Sequence, residues 1–185
     1  MGGLDFTRPP ADFARDLIGA RLLIEGVGGL IVETEAYDAG DPASHSFKGA
    51  GLRNAAMFGP VGRAYVYRSH GLHWCLNVVC GPQAGGAVLI RALAPQAGVE
   101  VMRQRRGREP LEALCSGPGK LCQALAVTRH LDGAPLDAPP FSLTAPATAP
   151  PIVAGPRIGI SRGVETPWRF GLTGSPFLSR RFTVA

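Results

Sequence analysis

A chain of 185 residues and 19.4 kDa fits one domain and is long enough to bury a core without disulfides. Hydrophobic residues at 45% exclude intrinsic disorder. No apolar run reaches the ~18 residues of a membrane span, and Met1 to Asp5 do not begin a signal peptide.

The net charge of +5 hides an asymmetry. Residues 1–50 carry eight acids and four bases, and residues 51–185 carry six acids and fifteen bases. Only Lys48 and Lys120 are lysines; the other 17 bases are arginines. Arginine forks onto phosphate, so the bias suits an anionic partner, although a GC-rich genome produces the same bias. A basic majority with a local acidic segment suits a site that needs carboxylates yet must be approached by a polyanion; scattered surface charge is the other reading.

In chain order, Pro9 to Ile18 reads as a short helix. Proline sits early, Phe13, Leu17 and Ile18 share a face, and Gly19 ends it. Arg21 to Glu25 and Leu30 to Tyr37 read as a hairpin around Gly26-Val27-Gly28-Gly29. Asp38 to Pro60 is polar and glycine-rich, a long loop of the kind that often carries function. Ala64 to Tyr67 and Leu72 to Val79 form a second hairpin with Arg68-Ser69-His70-Gly71 at its tip, and Ala87 to Leu93 is a further strand. Gly98 to Arg106, Leu111 to Leu114 and Leu121 to Val127 read as helical, the last two split by Ser116-Gly117-Pro118-Gly119. In the proline-rich stretch from Gly133 to Pro156, Phe141 to Leu143 and Ile152-Val153 suggest short edge strands. Arg157 to Ile160 and Arg169 to Leu172 read as closing strands. Without a regular strand–helix alternation the expected class is α+β.

The most informative stretch is Ile31-Val32-Glu33-Thr34-Glu35-Ala36-Tyr37. If extended, Glu33, Glu35 and Tyr37 share one face, with the carboxylates about 7 Å apart. Paired carboxylates in a cleft suit general acid–base work; a solvated strand face gives the same pattern. In the second hairpin Tyr65 and Tyr67 share a face. His73, Cys75, Asn77 and Val79 share another, and Leu72, Trp74, Leu76 and Val78 read as core. The aromatic set lines a base-stacking pocket or pairs across strands in the ordinary way. Ser116 to Lys120 places a lysine and free N–H groups at a helix start, or is a plain break at Pro118. Arg103, Arg105, Arg106 and Arg108 form a basic run. Cys75, Cys80, Cys115 and Cys122 lack zinc-finger spacing and read as reduced thiols, so no metal site is expected from them.

Val32-Glu33-Thr34-Glu35-Ala36-Tyr37, His45-Ser46, Arg53-Asn54, Met57-Phe58, Tyr65-Val66-Tyr67, Asn77, Leu89-Ile90-Arg91-Ala92-Leu93 and Ser116 to Leu125 occur in that order. Together they resemble the alkyladenine (3-methyladenine) DNA glycosylase family from about Leu4 to Phe182. The resemblance implies a single domain over 1–185, with a curved antiparallel sheet flanked by helices and a protruding hairpin. It implies a monofunctional enzyme that hydrolyses the N-glycosidic bond of alkylated, and some deaminated, purines in duplex DNA without metal or cofactor.

Carried over by motif position, Glu35 resembles the general base and Arg91 the arginine that helps hold the attacking water. Tyr37, His45 and Tyr67 match the residues that sandwich the flipped base. Asn77 matches a steric gate against guanine, with Glu33 structural and paired with an arginine. His70 and Leu72 fall at the hairpin tip that fills the gap in the duplex, and Ser116 and Lys120 at a backbone phosphate. The family's wedge is usually tyrosine, so the smaller His70 is expected to hold the flipped state less well. The loop from Tyr37 to His45 is one residue shorter than the mammalian pattern, so lesion preference is not carried over. A long N-terminal extension is absent, and a monomeric, cytoplasmic, bacterial-type core enzyme is expected. A silent nucleic-acid-binding module of the same fold and a glycoside hydrolase using Glu33 and Glu35 are the competing readings.

Overall fold

The computed structural model describes residues 3–107 and 109–182. Helix α1 (Pro10–Asp16) begins at a proline, whose missing N–H costs nothing in a first turn. Strands β1 (Arg21–Ile24) and β2 (Val27–Tyr37) follow, then β3 (Ala64–Ser69), β4 (His73–Val79) and β5 (Ala87–Ala97). Helices α2 (Val99–Arg106) and α3 (Pro118–Ala124) precede three short strands, β6 (Phe141–Thr144), β7 (Ile152–Gly155) and β8 (Arg169–Leu172).

All strands join one curled antiparallel sheet in the order β3-β4-β5-β2-β1-β6. β8 pairs the second half of β2, and β7 lies beside β8. The class is α+β, as the irregular element order implies. Helix α1 covers one face of β2: the Thr34 hydroxyl donates to the Ala14 carbonyl at 2.9 Å, and Phe13, Leu17 and Ile18 are fully buried there. Glu33 and Glu35 leave β2 on the opposite face. The β2–β5 register shifts on either side of Glu33, a bulge of the kind that re-aims side chains beside active sites.

Three expectations are corrected. The first hairpin turns at Glu25-Gly26, both with positive φ, so β2 starts at Val27 and Gly28-Gly29 belongs to it. There a Cβ would lie 2.0 Å from the Leu22 carbonyl oxygen or 1.9 Å from that of Ala94; these glycines serve close strand approach, not a turn. Leu72 is not core: it is 77% exposed at the hairpin tip, outside β4. Arg157 to Ile160 is not a strand, because its polar groups face the carboxylates described below. The basic run mainly braces α2 against α3. Arg105 donates to the Ala124 carbonyl at 2.9 Å and Arg106 to Gln123 at 2.8 Å, while Arg103 pairs with Glu100 on its own helix. Arg108 lies outside the described residues.

Candidate active site

Glu33 and Glu35 are both fully buried, and each must therefore be paired or hydrogen-bonded. Their environments differ. Glu33 is saturated: Oε1 accepts from Arg91 Nε at 3.1 Å, Arg169 Nε at 2.7 Å and the Ser179 hydroxyl at 2.8 Å, and Oε2 accepts from the Ser179 N–H at 2.5 Å. The arginine partner expected from the sequence is thus two arginines.

Glu35 is less encumbered. Its Oε1 accepts from the Ile158 N–H at 2.7 Å, and its Oε2 from the Tyr37 hydroxyl at 2.8 Å, with Arg91 Nη1 3.3 Å away. A carboxylate offers about four acceptor positions, so Glu35 keeps capacity for one more donor, and it borders a cleft. Arg91 lies between the two carboxylates. Burial works against its charge, but Glu35 and Glu33 outweigh that and hold the guanidinium above its ordinary value. Burial and the adjacent Glu35 likewise push the Tyr37 phenol above its usual range, so it remains a donor.

The loop from Asp38 to Pro60 brings His45 to the same cleft. Asn54 fixes the loop by donating to the carbonyls of His45 at 2.9 Å and Gly49 at 3.1 Å, and the Ser46 hydroxyl ties it to the Gly85 carbonyl at 2.6 Å. His45 Nδ1 lies 3.0 Å from the Tyr65 hydroxyl, and its ring packs edge-on to Tyr67 with centroids 4.5 Å apart. Although His45 is exposed by surface area, desolvation of its packed ring lowers its pKa from 6.5. Tyr65 and Tyr67 stack at 5.4 Å, as their shared strand face requires. Across the hairpin, Asn77 donates to the Tyr65 carbonyl at 3.0 Å, which fixes its amide at the pocket wall.

The cleft has a volume of about 1790 Å³ and runs from Glu35 past the hairpin to Ser116 and Lys120. Lys48, Arg53, Arg68, Lys120, Arg129 and Arg162 border it, and none of them forms an ion pair among the described residues. His70, with φ +49°, stands exposed at the hairpin tip. The structure therefore gathers Glu35, Arg91, Tyr37, His45, Tyr67, Asn77, His70, Ser116 and Lys120 around one cleft. Leu72 stands beside His70 but projects to solvent.

Several supports were not read from the sequence. Arg157 donates to the Ala36 carbonyl at 2.9 Å, forks onto Asp41 and lies over the Tyr37 ring at 4.7 Å. Tyr65, Ile158 and Ser179 also touch site residues. Their partners are 20 to 146 positions away, so no local pattern announces them. Among the described residues no three of His, Cys, Asp or Glu converge as metal ligands, and no helix is long and apolar enough to cross a membrane.

The family model described as Methylpurine-DNA glycosylase matches residues 4–176. The chain is 59% identical to a protein of Nitrosospira multiformis over 97% of its own length and 93% of that protein's. It is 63% identical to a protein of Rhodopseudomonas palustris, covering 96% and 89%, and 59% identical to one of Agrobacterium fabrum, covering 96% and 91%. All three relatives are named as candidate 3-methyladenine DNA glycosylases.

Proposed function

The chain belongs to the methylpurine-DNA glycosylase family, and from that premise we propose that it flips alkylated purines out of duplex DNA and hydrolyses their N-glycosidic bond with a water activated by Glu35. The enzyme is a DNA glycosylase; the residue roles and the course of the reaction are the proposal. The observation that carries it is the contrast between the carboxylates, one saturated with donors and the other lining the cleft with an acceptor position to spare.

A base stacked in duplex DNA hides its glycosidic bond, so the nucleotide must rotate out at a cost of a few kcal/mol. His45 and Tyr67 touch and form one wall; the base lies between that wall and Tyr37. Each stacking ring contributes about 1–3 kcal/mol, which offsets the cost of flipping. Electron-rich faces also favour a purine made cationic by alkylation at N3 or N7. Asn77, held by the Tyr65 carbonyl, stands against the exocyclic amino group of guanine. His70 fills the gap left in the duplex, with Leu72 beside it; minor-groove wedges are commonly flat or apolar.

In the chemical step the water oxygen bonds to C1′ as the C1′–N bond breaks. The bonding pair passes to the purine ring, neutralising a cationic base, and the water's proton passes to Glu35. General-base assistance contributes typically 10²–10⁴-fold. A cationic purine is already a good leaving group, so a single base suffices and Glu33 is free to be structural. The cleft exceeds the ~300–1,000 Å³ of a small-molecule site, and its unpaired cations, Lys120 among them with Ser116 alongside, suit a phosphodiester backbone. The enzyme then works as a monomer on the chromosome in the cytoplasm.

The test is a duplex carrying one alkylated purine. Alkali-dependent strand breakage marks an abasic product, and Glu35→Gln abolishes it while DNA binding is retained. Full activity in Glu35→Gln overturns the mechanism. Binding without any base release by the native chain identifies a silent binding module instead.

A further inference from the structure

The segment before the C-terminus closes over the buried ion cluster. Phe182 lies over the Arg169 guanidinium at 3.9 Å, against Gly171, where a Cβ would come within 2.4 Å of the ring. The Arg180 carbonyl accepts from Arg169 Nη2. This contact set delivers Ser179, 146 residues from Glu33 in the sequence, to the junction of three charged groups. Its hydroxyl donates to Glu33 Oε1 at 2.8 Å and accepts from Arg91 Nη2 at 3.3 Å. A hydroxyl has one proton and two lone pairs, so the two contacts fix its rotor: proton to the carboxylate, lone pair to the guanidinium.

Resting on the reading in which Glu35 activates water, we infer that Ser179 is a positioning residue for the reaction: it sets the rotation of the Arg91 guanidinium so that Nη1 alone reaches Glu35. The three corners of Arg91 are divided among three acceptors, Nε on Glu33, Nη2 on Ser179 and Nη1 towards Glu35. Without the Ser179 hydroxyl, Nη2 is left without an acceptor in a buried site, where an unsatisfied donor is costly. It then turns to one of the two carboxylates, and either rotation carries Nη1 off its place beside Glu35. Turning towards Glu35 also takes the acceptor position the water needs.

The cost to folding is limited. The cluster of Glu33, Glu35, Arg91 and Arg169 is neutral with or without the hydroxyl. Glu33 keeps both arginines and the Ser179 N–H. Ser179 is partly exposed, so a threonine methyl is accommodated.

The experiment compares the native chain with Ser179→Ala and Ser179→Thr on in vitro methylated duplex DNA, reading released purines under single turnover. Ser179→Ala lowers the maximal rate about tenfold, the scale of one charge-assisted hydrogen bond. The half-saturating enzyme concentration stays within about twofold, because no DNA contact is removed. Ser179→Thr, which keeps the hydroxyl, restores the rate. An active native chain with Ser179→Ala at full rate overturns this inference alone. So does a loss shared equally by both variants that follows their melting temperatures. A native chain that releases no purine overturns the function proposed above, and this inference with it.

Discussion

The Tyr37 hydroxyl donates to Glu35 Oε2 across 2.8 Å, two residues along the same strand. One side chain thus supplies both a ring for the pocket wall and a donor that orients the carboxylate. Because burial and Glu35 raise its pKa, the phenol keeps its proton at every working pH. Tyr37→Phe separates the two roles. The ring remains, so half-saturation by damaged DNA is unchanged, while the single-turnover rate falls about tenfold with loss of a hydrogen bond to a charged group. An unchanged rate shows the contact to be incidental.

His45 makes the pocket sensitive to pH. Desolvation lowers its folded pKa below the unfolded value of 6.5, so between those values the unfolded chain binds more protons than the folded one. Its contribution to stability is therefore present above about pH 6.5 and lost as pH falls through the lowered folded value. Protonation also sets a positive ring against a cationic purine. Affinity for methylated duplex weakens as pH drops through that window, whereas His45→Asn gives a flatter profile. Equal pH dependence in the two proteins, measured by fluorescence anisotropy, refutes this account.

At the hairpin tip, His70 has little to hold it except a 3.2 Å contact with the Ser69 hydroxyl. As the proposed wedge, it acts only when the duplex opens. His70→Ala reduces the flipped population, seen as a several-fold smaller signal from a fluorescent base analogue beside the lesion. His70→Tyr raises the signal above the native level by filling more of the gap. An unchanged signal in His70→Ala removes the wedge from the mechanism.

What could be read in advance follows a physical rule. Glu33, Glu35 and Tyr37 were placed on one face because strand alternation is local; Tyr65 and Tyr67 follow from the same rule. Gly28-Gly29 misled because glycine marks both turns and close strand approach, and only the positions of the Leu22 and Ala94 carbonyls decide between them. The segment from Arg157 to Ile160 has strand-like composition, yet the Ile158 N–H serves a carboxylate 123 residues away instead of a ladder. Periodicity carries no trace of such pairings. The motif resemblance named Glu35 and Arg91, but not the Tyr65, Arg157 and Ser179 contacts that hold the site residues in place.

The four thiols carry a last consequence. Cys75, Cys80, Cys115 and Cys122 are all free and buried, and burial pushes Cys75 up to about 11 and Cys115 to about 12, with Cys80 and Cys122 raised as well. The thiolate is the form that attacks electrophiles. Reagents that methylate purines are themselves electrophiles, and they meet almost no thiolate on this protein. A repair enzyme built this way keeps its own thiols out of the reaction that creates its substrate.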